Sequence, residues 1–208
     1  MSCCLDLKTI DFKDPDNLFL VPVNTSNRHL HVSAGDLAKL FGPDHKLTNI
    51  KDLTQPGQYA CQETVNIVGP KGMLENVRIL GPERPATQVE LAQTDARKIG
   101  IRAPLRNSGD LAKSPGCVLV GPKGYVVLSE GVVVAAPHIH LHVSDGEALG
   151  LADKELVDVY FSGEKKMAFF DIMVRVHPEF AKDMHLDTDE ANAARLGAGD
   201  KGLIVKKS

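Results

Sequence analysis

Two pairs of histidines, each pair separated by one apolar residue, are the clearest candidates for chemistry in this chain. The first pair is His29 and His31, and the second is His138 and His140. Side chains at positions i and i+2 of a β-strand project from the same face, so each pair would present two imidazoles side by side. Imidazole is a common ligand of zinc, copper, iron and nickel. Because the pattern occurs twice in similar surroundings, it favours metal binding over a merely polar strand face.

The remaining histidines differ in how strongly they suggest a ligand. His185 lies in the segment Asp183–Asp187, between two aspartates, and forms a third candidate site. His45 follows a Gly-Pro-Asp turn, which predicts a solvated side chain. His177 precedes a proline at a predicted strand end, where a structural role is favoured. His142 follows His140 on the same strand face, so the second pair could also be read as His140 with His142.

The composition excludes several classes of protein. The chain has 208 residues, of which 43% are hydrophobic and 25% charged, and its net charge is -3 at pH 7. These values are typical of a globular protein with a sizeable core and offer no electrostatic case for nucleic acid as a partner. No apolar run is long enough to span a membrane. The N-terminus lacks the pattern of a secretory signal, and the four cysteines lack zinc-ribbon spacing, so we expect a cytoplasmic protein without a membrane partner.

The elements that must position the histidines are predicted to be short strands. The sequence Gly-Pro-Lys-Gly occurs at 69–72 and at 121–124, each time between β-prone runs, which predicts two hairpins. An apolar run precedes each histidine pair and a short helix follows it. Short strands joined by Gly/Pro turns are typical of small barrels, and the repeat suggests two related ones. We therefore predict a mainly β fold with a few short helices.

Several motifs, in order from about residue 20 to the C-terminus, resemble those of the PduL-type phosphotransacylases (phosphate propanoyltransferases). The carrying segments are 21–23, 26–31, 55–58, 81–84, 87–90, 108–110, 138–140 and 183–193. The resemblance implies two interlocked β-barrels. The polar stretch at 1–17 predicts an N-terminal arm, and the repeated hairpin predicts a first barrel half at 18–115 and a second barrel half at 116–208. An exchange of the N-terminal segment of the first half into the other barrel stays open.

The resemblance also implies an activity and a dinuclear zinc site. The activity would be the reversible transfer of a short acyl group, propanoyl or acetyl, between coenzyme A and phosphate. Two Zn²⁺ per chain would be held by two sets of three residues: His29, His31 and Glu90, and His138, His140 and His185. The catalytic Arg84 would bind phosphate, since a guanidinium matches phosphate oxygens. The residues expected to line the substrate pocket are Gln55, Gln58, Gln88, Ser108 and Arg175.

Where the family usually has an arginine before the second pair, this chain has Pro137. We favour His138 and His140 as ligands, because the preceding Ala135-Ala136 and the spacing to Gly150 fit the family register. His142 is then expected to be a histidine behind the ligands or facing solvent.

The same residues leave other functions and partners open. Rival functions are a zinc-dependent thioester hydrolase and a metal-stabilised binding protein without catalysis. The family associates the chain with propanediol degradation and bacterial microcompartments, but the N-terminus shows only a weak amphipathic pattern. Association with a microcompartment shell and formation of a homo-oligomer therefore stay open.

Overall fold

The computed structural model describes residues 10–12, 14, 16–197 and 199–207. Within them the chain has 15 strands and four short helices, which confirms the predicted mainly β fold. The predicted arm at 1–17 lies mostly outside the described residues. No helix in the described part of the chain combines the length and the apolar character needed to cross a membrane.

The strands are β1 Leu20–Ser26, β2 His29–His31, β3 Asn49–Asp52, β4 Tyr59–Gly69, β5 Gly72–Gly81, β6 Gln88–Glu90, β7 Leu105–Arg106, β8 Cys117–Val120, β9 Tyr125–Leu128, β10 Val132–Ala135, β11 His138–Leu141, β12 Leu156–Phe161, β13 Met167–Val176, β14 Asp183–Asp187 and β15 Lys201–Lys206. The helices are α1 Ala34–Phe41, α2 Gln93–Lys98, α3 Val143–Leu149 and α4 Thr188–Ala194.

The chain forms two compact units. One comprises the described residues up to Thr25, Pro137–Leu186 and the described residues from Glu190 onwards. The other comprises Ser26–Ala136 and Asp187–Asp189. The division at residues 115 and 116 into two barrel halves stays a prediction.

The first unit is built on a closed barrel of six strands in the order β1-β14-β11-β13-β12-β15. Strand β11 runs parallel to β13 and antiparallel to β14, with His138 opposite His185. Ile139 and Leu141 of β11 are fully buried in the apolar core of this unit. Because side chains alternate along a strand, His138 and His140 project together from the other face of β11.

The second unit contains a curled, nine-stranded sheet in the order β7-β10-β6-β2-β5-β4-β8-β9, with β3 paired to β4. Strand β2 lies between β6 and β5, so that His29 faces Glu90 across the antiparallel pair. Leu30 is fully buried in the core of this unit, which directs His29 and His31 to the opposite face.

Both Gly-Pro-Lys-Gly segments form the predicted hairpin turns, between β4 and β5 and between β8 and β9. Glycine is required at the first turn position because the main chain of another segment approaches closely. A Cβ on Gly69 would lie 2.4 Å from the carbonyl oxygen of Ile99, and one on Gly121 would lie 2.6 Å from that of Leu40. The first turn therefore packs against the end of helix α2 at Ile99, and the second packs against helix α1 at Leu40.

Short helices, α1 and α3, follow the two histidine pairs as predicted, and helices α1 and α2 differ in how their first turns are capped. Helix α1 is capped by Ser33, whose hydroxyl accepts a hydrogen bond from the Asp36 N–H at 3.2 Å, as is common for a serine at this position. Helix α2 starts at Gln93, and no side chain among the described residues caps it, although Thr94 in its first turn is a residue type common at caps. The N–H of Thr94 instead donates to Asp189 Oδ2 at 2.8 Å, a tertiary contact that the local sequence does not reveal.

Candidate metal centre

The first cluster of possible ligands consists of His29 and His31 on β2 and Glu90 on β6. Each side chain offers one ligand atom, and these atoms all lie within 4.8 Å of one another. The Nε2 of His29 lies 3.5 Å from Glu90 Oε2. All three residues are buried. Two short strands paired side by side are thus sufficient to bring the predicted triplet together.

Main-chain carbonyls orient both imidazoles of this first cluster. The Nδ1 of His29 lies 2.8 Å from the carbonyl oxygen of Asn27, and that of His31 lies 3.0 Å from the carbonyl oxygen of Leu80. A carbonyl only accepts, so each Nδ1 carries the proton and donates. The lone pair of each ring is therefore on Nε2, which is the nitrogen available to a metal ion.

A hydrogen-bond network connects Glu90 to the residues predicted to bind substrate. The hydroxyl of Ser108 donates to Glu90 Oε1 at 2.8 Å and accepts from Gln88 Nε2 at 2.8 Å. The same Gln88 amide also donates to Glu90 Oε1, while its oxygen accepts from the Gly109 N–H at 2.9 Å. Arg84 Nη1 donates to Ser108 Oγ at 3.4 Å. Arg84, Gln88 and Ser108 therefore lie together beside the first cluster.

The environment favours the protonation states that metal binding requires. Burial is the main cause that lowers the pKa of His31, to about 3, and the neighbouring His29 and Arg84 add to it. Burial acts to raise the pKa of Glu90, but the adjacent imidazoles, the Ser108 hydroxyl and Arg84 outweigh it and lower that pKa. A neutral imidazole and an ionised carboxylate are the forms that bind a cation.

The second cluster consists of His138 and His140 on β11 and His185 on β14. Their ligand atoms also lie within 4.8 Å of one another, and the antiparallel pairing of β11 with β14 brings them together. Burial, followed by the nearby His138, His185 and Arg175, lowers the pKa of His140 to about 2. His140 is therefore neutral at physiological pH, as a metal ligand must be.

Two buried atoms in the second cluster fit a bound cation. His140 Nδ1 and Asp183 Oδ1 are buried, and neither has a hydrogen-bond partner in the described part of the chain. An unpaired polar atom in a protein interior is costly unless an ion or water satisfies it. A metal ion coordinated by the three imidazoles would supply the partner that His140 lacks and a positive charge close to Asp183.

The predicted pocket residues have different places in the structure. Arg175 lies on β13 directly across from His140, in the first unit. Gln55 and Gln58 lie in the turn between β3 and β4, where the Gln58 N–H donates to the Gln55 carbonyl at 3.2 Å. Gln88 and Ser108 belong to the network around Glu90. A part for Gln55, Gln58 and Arg175 in substrate binding stays a prediction.

The structure assigns His142 a local role. Strand β11 ends at Leu141, and His142 caps helix α3, its Nδ1 accepting from the Ser144 N–H at 3.2 Å. The chain turns at this point, so the two-residue alternation that would align His142 with His140 ends. Among the described residues, the only groups of three close metal-binding side chains are the two clusters above, and His142 belongs to neither.

The turn context of His45 predicted a solvated side chain, but the structure shows that this histidine contacts other residues. Its Nε2 lies 2.9 Å from Glu63 Oε1, and its ring stacks on Phe41 at a centroid distance of 5.0 Å. Glu63 is buried and accepts from the Thr48 N–H at 3.0 Å. The contact joins residues 18 positions apart in the chain, which is why the local sequence did not reveal it.

Comparison with known proteins agrees with the motifs. The family model of phosphate propanoyltransferase matches residues 22–197. The phosphate propanoyltransferase of Thermotoga maritima is 52% identical over 185 residues, which cover 88% of each chain. That of Listeria monocytogenes is 47% identical over 188 residues, 90% of this chain and 88% of the relative. That of Salmonella typhimurium is 48% identical over 175 residues, 84% of this chain and 83% of the relative. With nearly its whole length matched and its two histidine clusters in place, the chain belongs to the phosphate propanoyltransferase family.

Proposed function

We propose that this protein transfers a propanoyl or acetyl group reversibly between coenzyme A and phosphate. Its family makes it an enzyme of the acyltransferase class. The observation that carries the finer proposal is the position of Arg84, which shares Ser108 with the candidate metal ligand Glu90. A phosphate bound by this arginine would lie beside the first cluster.

The donor sets support zinc as the metal, with one ion in each cluster and two per chain. Three imidazoles, or two imidazoles and a carboxylate, are ligand sets that zinc accepts while leaving a position open for substrate. The unpaired Nδ1 of His140 supports the same assignment for the second cluster. When bound, zinc would supply Lewis-acid stabilisation of negative charge on an acyl or phosphate oxygen.

Arg84 is suited to hold the phosphate. It is half-buried, and its main-chain N–H donates to the carbonyl of Val32 at 2.9 Å, which anchors the loop beside β2. A guanidinium presents its donors as a rigid fork that binds two phosphate oxygens at once. Holding phosphate in one orientation converts its attack on the thioester into an effectively unimolecular step.

The reaction proposed is direct acyl transfer. A phosphate oxygen forms a bond to the thioester carbonyl carbon, and the carbon–sulfur bond then breaks with its electron pair on sulfur. The proton of hydrogen phosphate ends on the sulfur, so that acyl phosphate and the free thiol of coenzyme A are the products. In the reverse direction, the thiol attacks the acyl phosphate and expels phosphate.

The described cysteines support a mechanism without an acyl-enzyme. Cys61 and Cys117 are buried, and burial raises the pKa of their thiols, to about 11 and about 12. Both are therefore poor nucleophiles at neutral pH. Ser108 donates its proton toward Glu90, whose lowered pKa makes it a weak base. A covalent route needs a nucleophile activated by a stronger base than this.

The test is to follow the release of free thiol from propanoyl-CoA or acetyl-CoA with and without phosphate. We expect release only when phosphate is present, with acyl phosphate formed in equal amount. Release at the same rate without phosphate would instead show a thioester hydrolase. No release under either condition would support a binding protein and would overturn the proposal.

The proposal leaves the protein's assembly as a prediction. A homo-oligomer is compatible with the family. Recruitment to a microcompartment shell would depend on the N-terminal segment, and residues 1–9 lie outside the described part of the chain. Fusion of residues 1–20 to a fluorescent protein, followed by imaging in cells that form shells, tests recruitment directly.

A further inference from the structure

A fully buried aspartate lies behind the second histidine cluster. Asp183 is 0% exposed and precedes His185 by two residues on β14. Its Oδ2 lies 3.0 Å from His185 Nε2 and accepts a hydrogen bond from Asn24 Nδ2 at 2.8 Å. Asp183 is also directly opposite His140 across the pairing of β14 with β11. A single carboxylate oxygen is thus shared between a candidate ligand and a residue of β1.

Burying this carboxylate is unfavourable unless a positive charge compensates it. Its second oxygen, Oδ1, has no hydrogen-bond partner in the described chain, so the carboxylate is only partly satisfied. An isolated buried carboxylate is among the most costly groups in a protein interior. A core that needed only packing at this position would be better served by an apolar residue. The aspartate therefore indicates a cation nearby.

We propose that Asn24 and Asp183 position His185, so that this imidazole binds the metal ion through Nδ1 while its Nε2–H donates to Asp183. A carboxylate oxygen only accepts, so the proton of the ring lies on Nε2 and the lone pair on Nδ1. Such an outer carboxylate fixes the ring orientation and makes the imidazole a stronger ligand. Asn24 holds the carboxylate oxygen from its other side.

This arrangement is the reverse of that in the first cluster. There, main-chain carbonyls accept from Nδ1 of His29 and His31, which leaves Nε2 as the ligand atom. The two clusters are therefore expected to differ in tautomer as well as in ligand type. The inference rests on metal binding at the second cluster, which belongs to the proposed function, and it adds the residues that tune that binding.

The first test measures metal affinity without using activity. In the full chain carrying His29→Ala and His31→Ala, zinc is titrated against a chromophoric chelator, so that only the second cluster reports. Asp183→Leu should weaken zinc binding about 10- to 100-fold, the usual effect of removing such a partner. Asp183→Asn keeps both hydrogen bonds but removes the charge, and should give a smaller loss in the same direction.

The matched control is Asp158→Asn in the same background. Asp158 is a half-buried aspartate of the same barrel, and its Oδ1 accepts from the Asp171 N–H at 3.2 Å. Zinc affinity should not change in this variant.

Thermal unfolding of the metal-free proteins should show no loss of stability in Asp183→Asn, because the uncompensated buried charge has been removed.

The second test reads the tautomer, which a purely structural aspartate would not determine. Long-range ¹H–¹⁵N spectra of the zinc-loaded protein, assigned with His185→Gln, should show His185 protonated at Nε2 and His29 and His31 protonated at Nδ1. Zinc bound to His185 through Nε2, or unchanged affinity in Asp183→Leu, would overturn the inference alone. Absence of zinc from the second cluster of the otherwise unmodified chain would overturn the proposed two-metal site as well.

Discussion

Replacing Arg84 by lysine retains the positive charge but removes the planar fork, and it should slow the reaction at the phosphate step. The Arg84 side chain donates to Ser108 Oγ through Nη1 at 3.4 Å, so one edge of the guanidinium is already turned toward the Glu90 network. A lysine ammonium is a compact point charge whose donors do not match two phosphate oxygens. It cannot contact Ser108 and bind phosphate bidentately from the same position.

The size of the effect follows from the hydrogen bond that is lost. A hydrogen bond to a charged group contributes about 1.5–3 kcal/mol. Each 1.36 kcal/mol corresponds to a tenfold change in rate, so kcat/KM for phosphate should fall about 10- to 150-fold. The half-buried position of Arg84 limits screening by solvent and favours the upper part of this range.

The assay is initial-rate thiol release with phosphate varied at saturating propanoyl-CoA, and then the converse. Arg84→Lys should lower kcat/KM for phosphate. The KM for propanoyl-CoA should stay within about twofold, because the substitution does not alter the contacts that bind the acyl donor. Arg102→Lys, at an exposed arginine of the same unit, is the control and should behave as the unmodified enzyme. Wild-type kinetics for phosphate in Arg84→Lys would refute the assignment of this residue.

Three further predictions concern the metal, the stability and the kinetic mechanism. His29→Ala and His185→Ala should each lose about one metal ion per chain and most activity, whereas His142→Ala should retain both ions, as measured by elemental analysis; full metal content in His185→Ala would contradict the second ligand set. Burial acts to raise the pKa of Glu63, but the Thr48 N–H and His45 lower it below 4.5, so its contribution to stability is present above pH 4.5 and is lost as the pH falls through the folded-state pKa. In Glu63→Gln the melting temperature should therefore fall less steeply below pH 4.5 than in the unmodified protein, and an equally steep fall would contradict this assignment. Double-reciprocal plots for acyl-CoA and phosphate should intersect, since both substrates bind before the acyl group moves, whereas parallel lines would indicate an acyl-enzyme.

The parts of the site that local periodicity determines could be predicted from the sequence. His29 and His31 alternate with Leu30, and the structure buries Leu30 in the core while the imidazoles share the other face. The two Gly-Pro-Lys-Gly turns predicted hairpins, because glycine and proline act through the local backbone. These features need no knowledge of distant contacts.

Features that depend on strand pairing were not accessible in this way. His185 lies more than 40 residues after His138, and only the register of β14 on β11 places them opposite each other. Its assignment as a ligand came from the family motif rather than from spacing. The bond from Asn24 to Asp183 spans 159 positions and has no local signal.

The end of strand β11 was also not readable from the local sequence. His142 continues the alternation of His138 and His140 in the sequence, but β11 ends before it and the histidine caps α3. Local propensity did not reveal this end, because the pattern of His, Ile, His, Leu and His is uniform. Helix α3 begins directly after His142 and packs against β11, a tertiary contact that the alternating pattern does not encode.

The most direct test of the account is a zinc titration of metal-free enzyme in which phosphate-dependent thiol release from propanoyl-CoA is the readout. The metal is removed with a chelator, and activity is followed as zinc is added back in known ratio to the chain. The account predicts negligible activity without metal and a rise that reaches its maximum at about two zinc ions per chain, in keeping with the two three-residue ligand sets. Full activity in the metal-free protein, or a maximum reached at one ion per chain, would contradict it.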